Sequence, residues 1–282
     1  MNEKQRNEWA YERNRILGVS ENSQINKWVR FYKQQYSIAT VDFLETNKVR
    51  NFTNIFKFND FLDLYVSLYR SVGLRFAKWA FKELESRQTK NVSMEDREGI
   101  WEETFATFGN QVGRSRIVSV QGTALTKIES ILFRFSKDPE FMGLGVEEKA
   151  RILRKQIEGI SQYQAERIVR TETSLAANQA TKQSAVDFFG GVQNMDKIWN
   201  HGGTRDPRPS HIALDGVRIP ADQKFNVGGE LMDIACEFGA SAGNVINCGC
   251  SVTFIPKEEK GIDPLLAASL AGLLIQNDER EN

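Results

Sequence analysis

Trp199-Asn-His-Gly-Gly-Thr-Arg-Asp-Pro-Arg-Pro-Ser-His211, followed by Leu214-Asp-Gly216, Phe225 and Asn247-Cys-Gly-Cys-Ser-Val-Thr-Phe-Ile-Pro256, is the stretch whose reading decides the fold. Two glycines and two prolines in residues 202–210 admit only loop. Lys197–Asn200 reads as a strand and Leu214–Gly216 as a turn between short strands. Cys250–Ile255 alternates like an edge strand, and Pro256 closes it. Both histidines of the chain, His201 and His211, lie here with all three cysteines, Cys236, Cys248 and Cys250.

Everything upstream reads as helix. Ile25, Trp28, Val29, Tyr32, Tyr36, Ala39 and Phe43 recur at steps of three and four, the spacing of one helix face. Glycines and polar caps then cut the pattern into pieces. Residues 2–17 are expected to form a polar helix closed by Gly18, and Asn22 or Ser23 to cap a second helix that runs to about Glu45. Residues 51–58 link to a helix capped by Asn59 or Asp60. Ser93 caps a helix ending at Gly109, and another runs from about Val112 to Phe135. Asp138-Pro139 breaks the run. A helix over 147–158, a turn at Gly159-Ile160 and a helix over 162–189 complete the series. That last pair can also be read as a helix-turn-helix, with Gln162, Gln164, Arg167, Arg170 and Thr171 as base-contacting types. The dense aromatics predict a helical core, with a base-stacking surface as the alternative.

The fold class expected is α+β: a mostly helical N-terminal region, then a small mixed domain of short strands and long loops. The boundaries are 1–145 for the helical region, 146–256 for a long helix plus small sheet, and 257–282 for a tail whose Leu265–Ile275 forms a short apolar helix. That run falls well short of the roughly 20 apolar residues of a membrane span. A charged start with no apolar segment behind it argues against a secretory signal. Three cysteines fit a reducing compartment better than a disulfide scaffold, which points to cytosolic synthesis. Net charge is zero over 282 residues, yet residues 1–189 carry 29 Lys+Arg against 24 Asp+Glu, and the remainder 8 against 13. The imbalance is too mild to announce a nucleic-acid binder by itself.

Two groups of side chains carry candidate chemistry. Cys248 and Cys250 stand two apart in expected extended chain, so their thiols share a face. With His211, and His201, Cys236 or Asp206 as a fourth group, they are the candidate zinc ligands. The plainer alternative is two buried thiols beside a hydrogen-bonded histidine. Arg170, Glu172 and Thr173 are polar on a helix with Ala176, Ala177 and Ala180 behind them. A buried charge there needs a partner, and an ion-pair latch to the following domain is the expected role. Cys, His and Asp on one sheet are also raw material for a thiol nucleophile. No phosphate loop, nucleophile elbow or Rossmann fingerprint accompanies them, so no catalytic residue is assigned.

The string Arg170-Thr-Glu-Thr173 with Leu175-Ala-Ala, Lys197-Ile-Trp199, Arg205-Asp206-x-Arg208-x-x-His211-x-x-Leu214-Asp215-Gly216, Phe225 and Asn247-Cys-x-Cys250 resembles the phage Mu protein F-like family over roughly residues 150–256. Arg170, Glu172, Trp199, Arg205, Asp206, Arg208, Asp215 and Asn247 are the motif positions. Gly249 stands where the family often has Arg, and Glu237–Asn244 where it is often Pro-rich. The resemblance implies a phage minor head protein acting in head morphogenesis. Its implied place is inside the virion head at the portal, with the portal protein, major capsid or other head proteins and packaged DNA as partners, and with a part in packaging or delivery of the genome. The alternative is a thiol- or zinc-dependent enzyme or toxin-like effector packaged in the virion.

Overall fold

The computed structural model describes residues 1–87, 93–202 and 207–257; the apolar helix expected at Leu265–Ile275 lies outside them. Four long helices form the body: α1 (Glu3–Thr46), α2 (Phe58–Glu85), α3 (Glu95–Ser136) and α5 (Val146–Phe189), with one turn of helix, α4 (Pro139–Met142), between the last two. α5 is central. It packs along α1 and α2, α2 also packs on α3, and the small sheet rests on α5 through its last strand.

Three of the helices run through glycines that the sequence marks as stops. α1 continues across Gly18, α3 across Gly109 and α5 across Gly159. Magnitudes explain why. A helical glycine costs about 0.5–1 kcal/mol, whereas each large apolar side chain buried along the same helix returns about 1.5–3 kcal/mol. α1 alone fully buries Trp28, Tyr32 and Tyr36. Gly109 is itself a contact: a Cβ there would lie 2.7 Å from Tyr69 Cβ and 3.1 Å from Val66 Cα. It lets α2 and α3 approach closely.

The real helix starts also differ from those expected. Asn2 caps α1 in a capping box with Gln5. Neither Asn59 nor Asp60 caps α2; Asp60 sits in its first turn, where the helix dipole favours it. Ser93 donates to the Glu95 carboxylate at 2.7 Å rather than capping backbone. Asp138 does cap α4, accepting from Glu140 N–H and Phe141 N–H. Because α5 is unbroken, the helix-turn-helix reading fails, and Gln164 is buried against the Tyr36 hydroxyl.

The aromatics form a core. Trp28, Tyr32, Tyr36, Phe61 and Tyr65 are fully buried, with Trp28 edge-on to Tyr65 at 5.2 Å and 87°. They have no free face for a base.

Gly190, in the left-handed region at φ 76, ends α5. A turn of 3-10 helix (Val192–Asn194) leads into β1 (Met195–Asn200). β1 is the middle of an antiparallel sheet, flanked by β2 (Arg218–Pro220) and β5 (Ser251–Pro256), with Asp196 opposite Pro220 and Trp199 opposite Val252. β5 is therefore an edge strand closed by Pro256, as its alternation predicts. A hairpin of β3 (Phe225–Val227) and β4 (Glu230–Met232) stands apart. Leu214–Gly216 is a turn, but it joins a one-turn helix, α6 (Pro209–Ile212), to β2 rather than two strands. The overall class is the α+β expected.

Candidate metal centre

Residues at 195, 197 and 199 share one face of β1. On that face Trp199 meets the His211 ring at 5.6 Å and 90° and the Phe225 ring at 5.2 Å. The hairpin and loops thus cover the sheet, and both faces of β1 are buried. Beneath Trp199, Lys197 is sealed from solvent. Its Nζ donates to Asp233 O at 2.8 Å and pairs with the Asp233 carboxylate, which Lys182 of α5 also grips. Burial opposes ionisation of Asp233, but the two ammonium groups outweigh it and hold its carboxyl below the usual value. Lys197, buried most deeply and facing Lys182, is itself lowered by desolvation.

His211, on α6, and the segment before β5 bring the cysteines together. His211 Nδ1 lies 3.5 Å from Cys248 Sγ and 3.5 Å from Cys250 Sγ. The three atoms lie within 4.8 Å of one another, and the residues are 1 %, 2 % and 3 % exposed. Cys248 and Cys250 precede β5 rather than lie in it; their sulfurs converge because of the loop, not strand alternation. Asn247, in the left-handed region at φ 53, turns the chain, and its N–H donates to Thr171 Oγ1 at 3.2 Å. Arg208 donates to Ile246 O at 2.6 Å from the other side. The Gly202 backbone lies directly on Gly249, leaving no room for a Cβ.

Cys236 is the third buried thiol. It adopts φ 61, rare for a non-glycine residue, and donates to Cys248 O at 3.2 Å. The neighbouring Cys236 thiol and burial push the Cys248 thiol well above its ordinary value, and Cys248 with burial does the same to Cys250. Reactive cysteines show the reverse, a depressed pKa in a partly exposed, electropositive setting.

The motif positions disperse around this centre. Trp199, Arg208 and Asn247 border it. Asp215 lies on the far side of the turn, accepting from Arg6 Nη1 of α1 at 2.6 Å and from His201 N–H at 2.9 Å. Arg205 and Asp206 lie outside the described residues. Arg170 is half exposed and pairs with Glu166 on its own helix. Glu172, 2 % exposed, is met by side chains of the helices, and its partner Arg116 lies 5.9 Å over the Phe238 ring of the small domain. Glu172 accepts from Tyr69 Oη at 2.6 Å and pairs with Arg116. The ion pair expected as a latch forms between α5 and α3, and it meets the small domain only through the Arg116–Phe238 contact.

Two functional-looking residues have no place in the sequence reading. Asn178 of α5 donates to Ala235 O at 3.0 Å and Cys250 O at 3.1 Å, bridging both cysteine segments. Arg13 of α1, fully buried, donates to Asn178 Oδ1 at 3.3 Å. The signal was available: Arg13 lies four residues from both Trp9 and Leu17 on the buried face of α1.

Residues 141–253 fit the family described as Phage Mu protein F like protein, in agreement with the resemblance carried by the motifs. No curated protein and no solved structure matches the chain. The matched family is one of phage head-morphogenesis proteins.

Proposed function

We propose that the Phage Mu protein F like region at residues 141–253 makes this chain a minor component of a bacteriophage head, bound at the portal or inner capsid surface and in contact with packaged DNA. The family match carries the reading. In it, residues 146–256 are the head-morphogenesis unit and residues 1–145 the helical part that faces partners. Exposed cations on the helices, among them Arg114, Lys127, Arg151, Arg154 and Lys155, support non-specific phosphate contact. Among the described residues no helix is long and apolar enough to cross a membrane. The burial of the thiols, 1–3 % exposed, supports a structural rather than a nucleophilic role for the cysteines.

Mass spectrometry of purified virions with copy counting, joined to a pull-down on the portal protein, tests this. A few copies per virion and co-purification with portal are expected; presence in the infected lysate but absence from virions overturns it. DNA binding by the purified chain is expected to fall steeply between low and physiological salt, as counterion release requires. Comparing virions before and after DNA release tests whether the chain leaves with the genome.

A further inference from the structure

We propose that His211 Nδ1, Cys248, Cys250 and Cys236 form a closed, structural zinc-type site, with Arg13 of α1 as its buried counter-charge. Geometry comes first. With Zn–N of about 2.0–2.1 Å and Zn–S of about 2.3 Å, tetrahedral angles put nitrogen and sulfur about 3.6 Å apart. Both His211–cysteine distances are 3.5 Å.

The tautomer follows from the hydrogen bonds. Asn244 Nδ2 donates to Val227 O at 3.2 Å and to Glu230 Oε2 at 2.7 Å, so its Oδ1 faces His211 Nε2 at 3.2 Å and can only accept. Nε2 therefore carries the proton, and Nδ1 presents its lone pair to the two sulfurs. One in-plane lone pair cannot accept good hydrogen bonds from two thiols, but a single ion between the three atoms satisfies all of them. A carbonyl-type oxygen on the non-ligating nitrogen is the usual support of a metal-bound histidine.

Charge argues for the fourth ligand. Arg13 is fully buried, forms no ion pair among the described residues, and leaves its Nε without a partner. Its side-chain hydrogen bonds go to the neutral amides of Asn14 and Asn178, and Asn178 in turn donates to Cys250 O; Glu21 acts on it only through space. A buried cation that no carboxylate hydrogen-bonds is expensive. Three thiolates and a neutral imidazole around a divalent ion carry net charge −1, which balances it. The Cys236 sulfur stands outside the close cluster of the other three ligand atoms, hydrogen-bonded to Cys248 O at 3.2 Å, and it joins the ion by exchanging that bond for it. On binding, each thiol releases its proton to solvent and no electron moves.

The test is zinc content of the full chain expressed in zinc-supplemented medium, with cobalt substitution to report tetrahedral sulfur ligation. Roughly one ion per chain is expected, with a thermal transition that falls in chelator and returns with zinc. Asn244→Leu, which touches no ligand sulfur, is expected to fold and to bind zinc about 10–100-fold more weakly. Cys236→Ser is expected to lose one sulfur ligand in the cobalt spectrum. Less than a tenth of an equivalent with no chelator or zinc response, or a Cys248–Cys250 disulfide in the intact mass, overturns the site. Unchanged zinc affinity in Cys236→Ser overturns the fourth ligand and the charge argument with it.

Discussion

Two buried polar centres sit six residues apart on α5, at Glu172 and at Asn178, and they are built differently. Glu172 is a carboxylate enclosed by helices, and α2 and α3 supply its phenol and guanidinium. Asn178 is a neutral amide facing loops, and it binds two carbonyls and one guanidinium that no carboxylate hydrogen-bonds. The first centre is complete from protein groups alone. The second holds two backbone segments and Arg13 together through one side chain. α5 thus fastens the helical body on one side and the small domain on the other.

The largest effect should come from the first centre. Glu172→Ala leaves Arg116 without its buried partner and should destabilise the chain by about 3–5 kcal/mol, read by urea unfolding. A loss below 1 kcal/mol would mean that solvent reaches Arg116 easily and the centre is not closed. Asn178→Leu should cost about 2–3 kcal/mol, because the carbonyls of Ala235 and Cys250 lose a buried donor. Its second signature should be faster proteolysis near residues 235–250 than in the helices. If the helices are cut equally fast, the two centres form one cooperative unit.

A smaller pair of substitutions separates glycines that pack from glycines that merely persist. Gly109→Ala places a methyl against Tyr69 and Val66 and should cost about 1–3 kcal/mol in thermal unfolding. Gly18→Ala meets nothing within 4 Å and should stabilise by about 0.5–1 kcal/mol. Equal signs for the two would contradict the close approach of α2 and α3.

The finest comparison is one of sign with pH. Burial raises the Glu172 carboxyl above its ordinary value, with Arg116 and Tyr69 only partly offsetting it. Its folded state takes up a proton more readily than the unfolded chain, so this contribution to stability rises as pH falls through the folded pKa. Asp233 behaves oppositely. Its carboxyl is held below 3.8, so its contribution is complete above that value and is lost as pH falls further. Unfolding of Glu172→Gln and Asp233→Asn beside the wild type, from neutral pH to about pH 3, should give difference curves of opposite slope.

Periodicity made much of this legible. The buried face of α1 from Ile25 to Phe43, the break at Asp138-Pro139, the Lys197–Asn200 strand and the closing Pro256 all follow from local pattern. His211, Cys248 and Cys250 stand out by residue type, but their meeting, 37 and 39 residues apart in the chain, is the work of the loops. What local pattern misjudged were Gly18, Gly109 and Gly159. A glycine's cost is visible in sequence, whereas the burial that outweighs it depends on distant helices. Glu172 reads from sequence as a charge needing a partner, but helix spacing gives a face and not which helix supplies the partner.

The sequence alone determined the α+β class, the phage Mu protein F-like motifs and the side chains able to hold a soft cation. These depend on residue type and short spacing. Only the tertiary structure decided that α5 is continuous, that Glu172 serves the helices, and that Arg13 of α1 reaches a cysteine centre more than 200 residues away in the chain. Contacts of that range are set by how whole faces bury against one another, and no window of neighbouring residues contains that information.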